Sequence, residues 1–245
     1  AALGVAASVG RESLSCTRRP RVALLMTGDE LTEPGEPLPP GGIYSSNGYA
    51  LAGQIARAGA ALALRERVPD RTDATRAAIG AALDAADVVV VSGGVSVGPH
   101  AHVKDALAEL GAKRSFWGVS LRPGKPVWFG TRGDTLAFGL PGNPVSAMVT
   151  FQLFVRPALA ALQGADPATT RTTAVLDQPV ARNSRREQAV RVRLAADEHG
   201  WRATPTKGAQ GSHVLTSMLG ADALALIASG EGAAAAGERV EVELL

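Results

Sequence analysis

The sequence predicts an α/β fold, a doubly wound parallel sheet followed by a small β-barrel domain, and three observations carry that expectation. The stretch Asp87-Val88-Val89-Val90-Val91-Ser92-Gly93-Gly94 sets four valines between an aspartate and a glycine-rich run, the pattern of a strand buried on both faces. Three strand, loop and helix units succeed one another between residues 21 and 110, which calls for parallel strands joined by right-handed crossovers. From Arg171 onward the pattern changes to short alternating segments, as in a small β domain.

Residues 1–9 are small and apolar, compatible with a strand or a helix ending at Gly10, and 11–20 form a polar connector. Residues 21–26 are the first buried strand. The turn after it, Thr27-Gly28-Asp29-Glu30-Leu31, delivers two carboxylates to the strand's C-terminal end, where open α/β sheets hold ligands. A solvated turn is the alternative reading of Asp29 and Glu30. The Pro- and Gly-rich loop 33–42 leads to Ser46 and Asn47, either of which can cap a helix running to about residue 58. After a strand at 61–68, Asp70 again stands at a strand's C-terminal edge, and Thr72 or Asp73 can cap a helix through residue 86.

The valine strand then runs into Gly93, Gly94 and Gly98, which permit convergent backbone N–H groups, while Ser92 and Ser96 add hydroxyls. A helix from about His102 to Leu110 would turn its N-terminus toward the same point, an anion-binding arrangement that a plain glycine turn also explains. Arg122-Pro123-Gly124-Lys125-Pro126 holds two cations three apart on a rigid turn, suited to an anion or to a salt-bridged surface. Segments 127–130 and 135–139 flank Arg132-Gly133-Asp134 as a hairpin. Pro141-Gly142-Asn143-Pro144 is a second glycine loop, with Asn143 as cap and Pro144 as first residue of a helix reaching residue 162. A domain boundary falls in 163–170, giving an α/β domain at 21–165 and a β domain at 171–245. Strands are expected at 172–176, 188–194, 201–205, 224–227 and 239–244, a short helix at 214–219, and a turn at 230–237.

The 245 residues, 46% of them hydrophobic, suffice for a real core. A net charge of +2 with scattered basic residues and 4% aromatics argues against a nucleic-acid partner. No apolar run reaches membrane-spanning length and the first residues lack signal-peptide features, so a cytoplasmic protein is expected. The single Cys16 leaves no internal disulfide and no multi-cysteine metal site.

In order and spacing, Thr27-Gly28-Asp29-Glu30-Leu31, Ser46-Asn47, Ser92 to Gly98, Pro123-Gly124-Lys125-Pro126, Gly139 to Ser146 and Gly211-Ser212-His213 together resemble the molybdopterin molybdenumtransferase family of MoeA and the gephyrin E-domain. The resemblance implies a three-layer, MogA-like molybdenum-cofactor-binding domain followed by a C-terminal β-barrel. It implies transfer of molybdate to adenylylated molybdopterin with release of AMP, with Mg²⁺ as cofactor, a homodimer and contact with other cofactor-synthesis enzymes. Glu30, Asp70 and Lys125 would be catalytic, and Glu30 with Asp70 would hold the cation. Substrate would be bound by Thr27, Gly28, Asp29, Ser46, Asn47, Gly93, Gly94, Ser96, Gly98, Arg122, Pro141, Gly142, Asn143, Arg191 and Ser212.

Three departures bear on these expectations. Ala101 stands where the family usually has an acidic residue, which leaves an inactive site, compensation by Asp105, or a changed site using His100 or His102 as alternatives. Gly118 and Met26 stand where lysine and serine are common. The family's N-terminal domains are not in this sequence, so residues 1–20 read as a connector from them. Two other functions stay open: the preceding adenylyltransferase step, and a silent pterin-binding or scaffolding module.

Overall fold

The computed structural model describes residues 1–96, 102–168, 170–208 and 210–245. Helix α1 (Ala2–Ser8) has no buried residue. The chain continues through β1 (Arg21–Thr27), the short pair β2 (Leu31–Thr32) and β3 (Ile43–Tyr44), α2 (Ser46–Arg57), β4 (Ala61–Val68), α3 (Thr72–Ala85) and β5 (Val88–Ser92). There follow α4 (His102–Glu109), β6 (Lys113–Trp117), β7 (Leu121–Arg122), β8 (Trp128–Arg132) and β9 (Thr135–Leu140). Helix α5 (Pro144–Thr150) passes through a π-helical turn, Phe151–Val155, into α6 (Arg156–Leu162).

Six strands form one sheet in the order β4-β1-β5-β9-β8-β6. The first four are parallel, but β8 runs antiparallel to both its neighbours, β9 and β6, so the expected parallel sheet is mixed. The reason is local. Arg132 pairs with Thr135 across two residues, and Gly133 takes φ 56°, so the chain reverses in a hairpin instead of making the longer crossover that a parallel neighbour needs.

The layers explain the valine run. Val89 and Val91 of β5 and Ala23 and Leu25 of β1 pack under Ile79, Leu83, Val103 and Leu107 of α3 and α4. Val88, Val90, Val22 and Leu24 face the other way, against Leu51, Ile55, Phe151 and Leu159. Successive side chains therefore feed two cores, and no polar position is left among Val88–Val91. Helix 144–162 is long and apolar enough by length and composition to cross a bilayer, which corrects the sequence reading that found no such run. Its Ala147, Phe151, Val155 and Leu159 are committed to the second core.

Expected caps are corrected too. Neither Ser46 nor Asn47 caps α2, which begins at Ser46 with Ser45 in the cap position and no side-chain cap bond. Helix α3 begins at Thr72, with Arg71 preceding it and Asp73 drawn into an ion pair with Arg71.

The C-terminal unit comprises β10 (Arg171–Leu176), β11 (Val180–Ala181), β12 (Glu187–Asp197), β13 (Gly200–Pro205), a 3₁₀ turn at Leu215–Met218, β14 (Ala223–Ile227), β15 (Ala233–Ala234) and β16 (Arg239–Leu244). The sheet order β13-β10-β16-β14-β12, completed by a β12–β13 pairing, closes a five-stranded barrel around Leu176, Val190, Val192, Ile227 and Val242. Strand β15 pairs with β11, where residues 230–237 were expected to be only a turn.

Two junctions hold the barrel against the α/β unit. Strand β7 pairs in parallel with β12, Glu187 opposite Leu121 and Gln188 opposite Arg122. On the other side the buried Glu243 carboxylate meets Arg156 at 3.2 Å and Arg171 at 3.3 Å, and accepts from Gln152 Nε2 at 3.2 Å and Thr170 Oγ1 at 2.5 Å.

Asp87, at the foot of β5, takes both Nη atoms of Arg18 at 2.6 and 2.7 Å and the Arg21 N–H at 2.7 Å. These donors, the Arg18 guanidinium foremost, hold its carboxyl down at about 2. A depressed carboxyl stabilises the fold above the unfolded-state value and loses that contribution as pH falls through about 2. With Arg18 largely exposed, Asp87→Asn is expected to cost about 1–2 kcal/mol at neutral pH. Urea unfolding should show the difference between the two proteins shrinking as pH falls from about 4 toward 2.

Candidate functional site

The crossovers leave β1 in opposite directions, toward β4 through α2 on one face and, from β4, back to β5 through α3 on the other. The crevice at this switch point is where an open sheet exposes strand ends and helix N-termini together. A cavity of about 760 Å³ lies there, lined by Thr27, Glu30, Ser46, Asn47, Asp70, Gly93, Gly94, Ser96, Pro141, Gly142 and Asn143 among others. Positions up to 187 residues apart in the sequence, from Met26 to His213, thus share one cavity.

Side chains brace it. Asn47 Nδ2 donates to Ser92 Oγ at 2.9 Å and to the Gly142 carbonyl at 2.8 Å, while Ser92 Oγ donates to the Pro141 carbonyl at 3.3 Å. The two glycine loops are also joined through the Gly93 N–H, which donates to the Leu140 carbonyl at 3.0 Å. Gly93 takes φ +99°, and a Cβ there would lie 2.6 Å from Thr27 Oγ1 and 2.7 Å from the Thr27 carbonyl. Glu30 folds back over Gly28 so closely that a Cβ at Gly28 would lie 2.7 Å from Glu30 Oε2.

Gly28 and Asp29 do not line this cavity. Asp29 Oδ1 instead accepts the Asp70 N–H at 3.0 Å and so ties the two acidic turns together. Among the described residues Glu30 and Asp70 have no ion-pair partner, and no group of three or more metal-ligating side chains gathers. Asp105 is exposed on α4 and lines none of the three cavities described here. Gly98 and Ala101 lie outside the described residues.

Two features were missed from sequence. Ser45, buried like Thr27, also lines the cavity, and the hydroxyls of both have no hydrogen-bond partner among the described residues. Unpaired buried hydroxyls favour a polar ligand that would satisfy them. His213 also lines the cavity, carried by the loop whose Ser212 accepts from Asn143 Nδ2 at 3.1 Å through its hydroxyl and from the Val145 N–H at 3.1 Å through its carbonyl. The Ser45-Ser46-Asn47 run was a signal for the first. Only Ser212 was taken from Gly211-Ser212-His213.

Arg122 and Lys125 do not converge on one anion as their spacing suggested. Arg122 lines a cavity of about 440 Å³ with Arg191, Gln188, Gln210 and Gly211, whereas Lys125 lines another of about 550 Å³. The pairing of β7 with β12 sets the turn between the two units, one cation on either side of it.

Arg191 is 1% exposed. Its Nε and Nη2 donate to Ser217 Oγ at 3.3 and 3.2 Å and Nη2 reaches the Gly211 carbonyl at 3.5 Å, with no carboxylate in ion-pair range among the described residues. Burial pushes its guanidinium down to about 10. A desolvated cation offered only neutral acceptors is poised for an anion.

A family model described as a probable molybdopterin binding domain matches residues 23–161, and one described as the MoeA C-terminal region (domain IV) matches residues 173–245. A protein named molybdopterin molybdenumtransferase from Haemophilus influenzae is 33% identical over 243 residues, 98% of this chain and 60% of that protein. Another so named, from Nostoc sp., is 46% identical over 150 residues, 60% of this chain and 34% of that protein. The crystal structure of a molybdopterin biosynthesis moea protein from Pyrococcus horikosii aligns with TM-score 0.83 at 32% identity, covering 98% of this chain and 58% of that one. The matched region thus amounts to 60% or less of the length of these relatives.

Proposed function

This chain belongs to the MoeA family, and from that premise we propose that it binds adenylylated molybdopterin, receives molybdate and releases AMP with the finished cofactor. The observation that carries the reading is the switch-point cavity shared by two glycine loops and two carboxylates that have no ion-pair partner among the described residues. The Gly94 N–H and the Thr27 and Ser45 hydroxyls orient the polar substrate. Arg191 and Arg122, in the adjoining cavity, hold the tetrahedral oxyanion, the planar guanidinium matching its paired oxygens.

Mg²⁺ fits the donor set of Glu30 and Asp70, because a hard cation takes one or two carboxylates and completes its shell with water and phosphate oxygens. When bound it would screen the phosphoanhydride and polarise its P–O bond. Asp29, in this reading, is a positioning residue that sets Asp70 through its N–H. The matched C-terminal region and its buried Arg191 favour metal insertion over the adenylylation step. A homodimer, other cofactor-synthesis partners and a cytoplasmic location belong to the same proposal.

The test is AMP release from adenylylated molybdopterin, with Mg²⁺ and molybdate each supplied or withheld. Release that needs both is expected, and Glu30→Gln or Asp70→Asn should lower it by about 100-fold, some 3 kcal/mol of lost charge stabilisation, with pterin binding retained. AMP release indifferent to molybdate, or to both substitutions, would sink the reading.

A further inference from the structure

We propose that Trp117 is a positioning residue for the glycine loop 93–96, which it holds from the far edge of the sheet. Trp117 ends β6, the outermost strand, where it pairs with Trp128 of β8. Its indole Nε1 donates to the Val95 carbonyl at 3.1 Å. The loop follows β5, so this bond reaches past two intervening strands, β9 and β8. Over the ring lies Lys104 of α4, its Nζ 4.4 Å from the centroid, a cation–π contact that holds the indole plane.

Val95 is what the indole grips. It is buried and packs into the same core as Trp128 and Ala137. A Cβ added at Gly139 would lie 2.4 Å from Val95 Cγ1 and 3.2 Å from Trp128 Cβ, so the valine side chain occupies the space that a larger residue at 139 would claim. The Val95 side chain is therefore fixed by β9 and its carbonyl by Trp117.

The other end of the loop is fixed by the Gly93 N–H, bound to the Leu140 carbonyl at 3.0 Å. Between these anchors stands Gly94, at φ 64°, which lines the switch-point cavity. Its N–H donates to no carbonyl among the described residues. A loop held at both ends presents that N–H in one direction, and the cost of ordering it falls on folding rather than on binding. Indole suits the task because it is a neutral donor on a stiff side chain with two torsions. Trp117 remains 40% exposed, so its share in the core is partial and the fold should survive its replacement.

The use of the loop for substrate rests on the proposed function. Its anchoring by Trp117 does not.

The experiment is hydrogen–deuterium exchange of the parent and of Trp117→Phe, with no ligand present. Phenylalanine keeps a flat ring under Lys104 and removes the donor. Exchange in residues 93–96 is expected to speed up about fivefold or more, with β8, β9 and the urea midpoint unchanged. Replacing Trp117 by its sulfur isostere, β-(3-benzothienyl)alanine, should do the same at constant size, and it decides the matter if the phenylalanine variant fails to fold. Unchanged exchange at 93–96 in the isostere would overturn the proposal, as would an increase spread evenly over β8 and β9, the mark of a merely structural role. Adenylylated molybdopterin should alter the fluorescence of the parent, and the difference from Trp117→Phe should assign that change to Trp117, since Trp128 and Trp201 are common to both proteins. In AMP release the variant should show KM raised about five- to tenfold with kcat near the parental value. A KM within twofold of the parent would overturn the link from Trp117 to the site. A parent chain that releases no AMP sinks only the proposed function, and exchange still decides whether Trp117 holds the loop.

Discussion

Replacing Gly93 by alanine is expected to abolish pterin-ligand binding and to cost about 2–5 kcal/mol of stability. Two costs add. The residue holds φ +99°, a conformation that an L side chain adopts only with strain, and its new Cβ would meet Thr27 Oγ1 at 2.6 Å and the Thr27 carbonyl at 2.7 Å. Thr27 belongs to β1, a fully buried neighbour of β5, so it cannot retreat without disturbing the pairing of Met26 with Ser92. The 93–94 loop must move instead, and with it the Gly93 N–H that ties it to Leu140. Gly53→Ala is the control: this glycine lies within α2 with nothing within 4 Å of an added Cβ, and should gain about 0.5–1 kcal/mol. Urea unfolding of both variants, with ligand binding of the first, decides the matter. A Gly93→Ala protein of parental stability would show that the close approach to Thr27 is not a constraint.

Arg191→Met should raise stability while removing oxyanion binding in the Arg122–Arg191 cavity. The guanidinium is buried, and desolvation lowers it to about 10. A cation whose folded value lies below its unfolded one destabilises the fold wherever both states are charged. Between the two values the unfolded chain binds more protons, so stability rises with pH above about 10. At neutral pH the full desolvation penalty is present, on the order of 3 kcal/mol, less what the bonds to Ser217 and Gly211 return. Methionine fills a similar length with no charge to desolvate, so a gain of about 1–2 kcal/mol is expected from chemical unfolding. The alkaline rise should vanish in the same variant. Loss of stability at neutral pH would mean that the Ser217 and Gly211 contacts outweigh the desolvation.

Much of the fold was legible because it is written in local chemistry. Four valines without alternation can only be a strand with cores on both faces, and β5 has them. The 132–135 segment announced its hairpin, yet the reading of a parallel sheet did not carry the consequence through to β8 and β6. The alternating segments after Arg171 matched the barrel strands, whose pairing around a closed cylinder no single segment reveals.

The site divides in the same way. Glycine loops and acidic turns at strand ends are short-range signals, and the topology brings Thr27, Glu30, Asp70 and the 93–96 and 141–143 loops into one cavity. Asn47 was read as a cap because Ser, Thr, Asn and Asp serve that purpose locally. Its real partners lie 45 and 95 residues away, at Ser92 and Gly142. Asp29 likewise looked like a ligand, and its carboxylate is occupied by the Asp70 N–H.

The sequence by itself determined the strand and helix segments, the conformationally free glycines and the stock of charges, because these follow from side-chain period and backbone sterics within a few residues. Only the tertiary structure decided which charge faces which cavity. Arg122 and Lys125 are three residues apart, yet β7 pairs with β12 and sends them to opposite sides of one turn. Arg191 is an ordinary arginine in an alternating strand, facing away from the barrel core of Val190 and Val192, until the segment carrying Gly211 and Ser217 covers it with no carboxylate in range among the described residues. Burial and counter-ion are properties of the assembled chain, and they set what each cation can bind.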